Sequence, residues 1–191
     1  MRRLVALVLS VSVFVPFAAC AKKDKENPIP AISNEQLAAE CESALGWAHA
    51  YSVAALATEN PNKVYWYSNV PEEAMVLGYD ADEAFLGVDS RLNVMRIRFS
   101  DEDELEAMVE GEEDFVDALE NSCISDSVDI ETESGSDWGY IIFDGMDGNT
   151  YVSIREYYYD DVLILIALRS ELDGGPGMVR SFCNSLGLPN D

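Results

Sequence analysis

Val162-Leu163-Ile164-Leu165-Ile166-Ala167-Leu168 is apolar at every position. A run of seven bounded by Asp160-Asp161 and the polar Arg169-Ser170 is strand-length, and its uninterrupted apolarity predicts a central strand covered on both faces. Three more strand-like runs precede it, about Val128 to Thr132, Trp138 to Phe143 and Thr150 to Tyr158. Ser134-Gly135-Ser136-Asp137, Asp144-Gly145-Met146-Asp147-Gly148-Asn149 and Asp160-Asp161 supply the turn chemistry between them. Four strands in quick succession read as an antiparallel meander. Beyond it, Gly174-Gly175-Pro176-Gly177 breaks the chain before a final helix that buries Val179, Phe182, Cys183 and Leu186.

Upstream, Arg91 to Phe99 alternates, with Met95, Ile97 and Phe99 on one face and Val94, Arg96 and Arg98 on the other. Ser100 then caps a helix running to Cys123, whose first turn, Asp101 to Glu104, is wholly acidic and suits the helix dipole. Val64-Tyr65-Trp66-Tyr67 is a further strand. Ser33 with Gln36 forms a capping box that opens a helix expected to reach Thr58. Asn69 to Ser90 is ambiguous, with a short helix readable at Pro71 to Gly78. The expected fold class is α+β: an antiparallel sheet of about five to six strands with helices packed on it, flanked by N-terminal and C-terminal helices.

The 191 residues hold 48% apolar and 25% charged side chains, a globular balance with room for one domain. Against 36 Asp and Glu stand 12 Lys and Arg, a formal net charge of −24. Nucleic-acid binding by phosphate neutralisation needs a basic face and is excluded on this composition.

The N-terminus reads as an address. Met1-Arg2-Arg3 is a basic start, and Leu4 to Ala19 is a weakly polar-to-apolar run of signal-peptide length. It ends at Phe17-Ala18-Ala19-Cys20, which resembles the lipobox of bacterial lipoproteins, with Phe17 where that family usually has Leu. The resemblance covers the targeting segment alone. It implies cleavage before Cys20, diacylation of its thiol and acylation of the new terminus. The chain then divides into a signal peptide (1–19), a lipidated N-terminus and flexible linker (20–32) and a single α+β domain (33–191). Loss of Arg2 and Arg3 would leave ten basic residues against 36 acidic ones, a net of −26. Lys22, Lys23 and Lys25 would lie at the headgroups, drawn to anionic lipid. Ala19-Cys20-Ala21 also fits an ordinary secretion site that releases a protein starting at Lys22, and the leader is near the lower limit for an uncleaved anchor.

Three thiols remain past Cys20, at Cys41, Cys123 and Cys183, with no C-x-x-C pair to suggest zinc or a thioredoxin-like site. In an oxidising compartment two of them are expected to form one disulfide, with any of three pairings open. No cofactor or metal is implied. His49, the single histidine, has no nucleophile motif to serve and reads as an ordinary helix residue. Asp144, Asp147 and Asn149 crowd one turn but miss the spacing of a twelve-residue calcium loop, so turn chemistry explains them better. Glu156, beside Val152 and Ile154, is the nearest approach to a carboxylate in an apolar setting.

The remaining feature is a surface. Arg96 and Arg98 share one strand face, and Arg155 shares another with Tyr151, Ser153 and Tyr157. If these faces form the outer side of the sheet, arginines and tyrosines gather there in a protein acidic elsewhere, a surface suited to a saccharide, a small anionic ligand or a protein partner. The competing expectation pairs these arginines across strands with Asp129, Glu131 and Glu133. The function expected is that of a non-catalytic binding or envelope-associated module, lipid-anchored outside the cytosol. The alternatives are a carboxylate-dependent hydrolase acting on glycans and a purely structural envelope component.

Overall fold

A computed structural model of the chain describes residues 25–58, 63–75, 78–109, 128–171 and 174–190. Five short helices and eight strands are present among them. In chain order they are α1 (Asn34–Leu45), β1 (Ala48–His49), α2 (Val53–Thr58), β2 (Val64–Ser68), α3 (Pro71–Ala74), β3 (Ala81–Val88) and β4 (Leu92–Phe99). There follow α4 (Glu102–Val109), β5 (Asp129–Ser134), β6 (Trp138–Asp147), β7 (Thr150–Tyr159), β8 (Val162–Ser170) and α5 (Gly175–Leu186).

All eight strands form one sheet in the order β1-β2-β3-β4-β8-β7-β6-β5. Only β1 and β2 run parallel, so the sheet is mixed and has eight strands rather than the five to six expected. β8 lies in the middle, between β4 and β7, as its apolar run predicts. The two additional strands arise where periodicity is weakest. β3 carries Asp82 and Glu83 beside an irregularity in its pairing with β4, which interrupts the alternation. β1 is two residues long and is held by backbone bonds, Ala48 N–H to the Lys63 carbonyl at 2.8 Å and Ala50 N–H to the Tyr65 carbonyl at 2.7 Å.

The helix expected from Ser33 to Thr58 is divided. Its capping box forms as read, but Gly46 adopts φ +66° and closes α1, with the Trp47 N–H returning to the Cys41 carbonyl at 3.0 Å. That left-handed residue is a glycine C-cap, and it overrides an apolar spacing that continues past it. The reversal lays Trp47 over β3, where a side chain at Gly87 would meet the indole at 2.3 Å.

Helices cover both faces of the sheet. On one, α1 and α5 bury Leu37, Cys41, Val179, Phe182 and Cys183 against Phe85, Val94, Ile142, Tyr157, Ile164 and Ile166. On the other, α2, α3 and α4 bring Ala55, Leu56, Ala74 and Leu105 onto Trp66, Met95, Ile97, Phe99 and Leu163. The segment before α1 belongs to the domain as well: Ile29 and Ile32 are buried in the first cluster. Part of the stretch read as a flexible linker, from Ile29 onward, is thus packed against the domain. No described helix is long and apolar enough to cross a membrane. The leader 1–19, Cys20 and Cys123 lie outside the described residues.

Candidate functional site

The face that carries Ser153, Arg155 and Tyr157 is the one covered by α5 and the chain end, so the expected outer surface is an interior one. Arg155 is fully buried. Its Nε donates to Asn190 Oδ1 at 2.8 Å and its Nη2 to Asp144 Oδ2 at 2.9 Å. Nη1 is shared among Asp144 Oδ1 at 3.1 Å, the Phe143 and Ile154 carbonyls at 3.0 Å each, and Ser153 Oγ at 3.2 Å. Asp144 also accepts from the Ser153 hydroxyl at 2.5 Å and from Arg180 Nη2 at 2.9 Å. Burial pushes the Asp144 carboxyl up, but hydrogen bonds from Arg155 and Ser153, with the Arg155 charge, outweigh it and leave the group below its ordinary value.

This network binds the chain end to the sheet. Asn190 passes the contact on, donating to the Arg180 carbonyl at 3.0 Å, while the Tyr157 hydroxyl donates to the Pro189 carbonyl at 2.7 Å. With every guanidinium nitrogen engaged inside the protein, Arg155 joins Tyr157 in tying the chain end to the sheet. Tyr151, at the start of the same face, is half-buried opposite Ser170.

Arg96 and Arg98 end elsewhere on that face. Arg96 is 5% exposed, and its Nη1 donates to Asn34 Oδ1 at 3.1 Å and Glu83 Oε2 at 2.9 Å. Arg98 pairs with Glu83 at 3.2 Å and Asp82 at 3.4 Å. The Nε of each is buried without a partner. Arg155 and Arg96 are thus closed off, Arg98 is part-exposed beside Arg96 on their shared Glu83, and each of the three is paired with a carboxylate. The partners are Asp144, Glu83 and Asp82, in place of the expected Asp129, Glu131 and Glu133. Of those three, Glu131 and Glu133 accept from the Tyr140 hydroxyl at 2.9 and 3.0 Å, and Glu133 also holds Lys25. Sequence periodicity finds the face but not Asn34, Arg180 or Asn190, which reach it from helices and the chain end. A polar residue at the first turn of α1 is the sole hint of Asn34.

The other candidates resolve as follows. Cys41 and Cys183 are buried and are not bridged to each other. Burial pushes the Cys183 thiol up to about 11 and raises Cys41 as well, which removes both as nucleophiles near neutral pH. His49 is not helical but exposed on edge strand β1, with its ring 5.2 Å from Tyr65 and 5.7 Å from Tyr67. Tyr65 stacks in turn on Phe85 at 5.6 Å. Asp144 and Asp147 belong to β6, where Asp147 pairs with Arg169 at 2.6 Å, and the turn itself is Gly148-Asn149 with Gly148 at φ +62°. A two-residue hairpin with a positive-φ glycine in first place is a II′-type turn, so the turn expected over 144–149 is confined to residues 148–149 and the two aspartates are strand residues. Glu156 lies on β7 between Ile141 and Leu165. Among the described residues no group of three or more His, Cys, Asp or Glu is arranged to hold a metal.

An arginine pair that the sequence reading passed over is better exposed. Arg91, Thr150, Arg169, Ser170 and Glu171 line a shallow depression of about 400 Å³ where the β3–β4 turn meets the end of β8. The Arg169 N–H donates to the Arg91 carbonyl at 2.8 Å and fixes that meeting. Arg91 makes no ion pair among the described residues, and Asp147 and Glu171 balance the two guanidinium charges. Comparison of the chain with protein-family models, with characterised proteins and with solved structures finds no match to any of them.

Proposed function

We propose that this chain is a lipid-anchored extracytoplasmic protein whose domain binds a ligand or envelope partner and performs no catalysis. The observation that carries the reading is the order of the N-terminal sequence: basic start, apolar run, Phe17-Ala18-Ala19-Cys20, a short lysine-bearing spacer, then a domain packed from Ile29 onward. The state of the chemically capable groups agrees with it. The thiols at Cys41 and Cys183 are raised by burial, and the buried Arg155–Asp144 pair is consumed in holding the chain end.

Closure of the Arg155 face transfers the binding role to surface that remains open. The depression at Arg91 and Arg169 offers guanidinium donors, a hydroxyl from Thr150 and a carboxylate from Glu171. Mixed donors and acceptors with balanced charge suit a hydroxyl-rich or zwitterionic group, such as a saccharide, better than a bare anion, which the chain's net charge repels.

Expression of the full chain in a bacterial host with a clickable palmitate analogue tests the anchor. The wild type is expected to take up label and fractionate with membranes, and Cys20→Ala to lose both. An unlabelled wild type recovered in the soluble fraction would contradict the proposal.

A further inference from the structure

The segment before α1 is fastened at one end of the sheet. Lys25 pairs with Glu133, its carbonyl accepts from Trp138 Nε1 at 3.3 Å, and the Ile32 N–H donates to the Tyr159 hydroxyl at 3.0 Å. Glu133, Trp138 and Tyr159 flank the turns at 135–137 and 160–161, which are joined by the Asp160 N–H donating to the Asp137 carbonyl at 3.1 Å. The opposite end carries the Gly148-Asn149 turn, Arg91 and Arg169. β7 runs from one end to the other with ten residues. At about 3.3 Å per residue the two ends are about 30 Å apart.

Five residue steps separate Cys20 from Lys25. Fully extended they span at most about 18 Å. This is a short leash, and it is attached off-centre. Resting on the lipidation proposed above, we infer that the domain stands on the bilayer by the end bearing turns 135–137 and 160–161, so that the Arg91–Arg169 depression faces away from the lipid. The near end is itself acidic, with Asp137 and Asp160 exposed, so the domain is held off the headgroups rather than pressed into them.

The test uses the full-length acylated protein in vesicles containing anionic lipid and headgroup nitroxides. A genetically encoded fluorescent amino acid replaces either Ser136 or Asn149, both exposed turn residues, and leaves every cysteine in place. Several-fold stronger quenching at position 136 than at 149 is expected, with the difference shrinking when the leash is lengthened by a flexible insert after Lys23. Equal quenching, or stronger quenching at 149, in protein that floats with the vesicles would overturn the orientation alone. Protein that carries no acyl chain and fails to float would remove the anchor and this inference with it.

Discussion

Two arginines on one sheet face, Arg155 and Arg96, are both buried, yet they are satisfied to different degrees. Arg155 has a bidentate carboxylate, an amide and backbone carbonyls around it, with no nitrogen unpartnered. Arg96 depends on one Glu83 oxygen and Asn34, its Nε is orphaned, and the Glu83 side chain is 21% exposed. The difference follows from what covers each. α5 and residues 187–190 fold back over Arg155 and bring polar atoms made for it. Over Arg96 lies the first turn of α1, whose Asn34 offers it a single acceptor, Oδ1, while the Asn34 Nδ2 donates to the Ser68 and Ala84 carbonyls at 3.2 and 3.3 Å. A buried charge organises structure in proportion to the partners it can saturate.

Asp144→Ala removes the carboxylate from a fully buried guanidinium and is expected to cost about 3–5 kcal/mol in urea unfolding. A loss under about 1 kcal/mol would mean that Arg155 escapes to water and that the chain end is not held there. The same carboxylate sets an acid limit. Its folded value lies below its unfolded one, so its contribution is fully present above the unfolded pKa of about 3.9 and is lost as pH falls through the folded value. Unfolding free energy measured downward from pH 7 is therefore expected to fall through the acid range in the wild type, and less steeply in Asp144→Asn. Parallel profiles would remove the Arg155 pair as the cause.

Glu83→Gln keeps the shape beside Arg96 and withdraws charge from a partly solvated partner. About 1–2 kcal/mol is expected, clearly less than at Asp144. An equal loss at both sites would erase the distinction between the two arginines. The smallest effect belongs to the exposed pair. Replacing Arg91 and Arg169 together by Ala is expected to change stability by no more than about 0.5 kcal/mol, since neither packs a core. In the same variant, retention on isolated envelope material is expected to drop. Unchanged retention would take the binding role away from the depression.

Much of the sheet is legible in the chain because its signals are local. β8 announces itself by seven apolar residues, the II′-type turn by Gly148-Asn149, and the capping box by Ser33 and Gln36. β3 is hidden because Asp82 and Glu83, which hold Arg98 and Arg96, interrupt the pattern a half-buried strand should show. The division of the first helix depends on one left-handed glycine within an otherwise continuous stripe. The site is illegible in the sequence for a longer-range reason. A period of two assigns Arg155 to a face, but only the return of the chain end 35 residues later decides that this face is closed. Arg91 and Arg169 escape notice for the converse reason, since 78 residues separate them in sequence and the β4–β8 pairing brings them together.

The proposed role depends most on the fate of the leader, and the intact mass of the mature chain reads it directly. A mature chain that begins at Cys20 and carries a diacylglyceryl group and an amide-linked acyl chain, with its N-terminus blocked, is expected. A free amino terminus at Lys22, or a chain that keeps residues 1–19 and an unmodified Cys20, would contradict it.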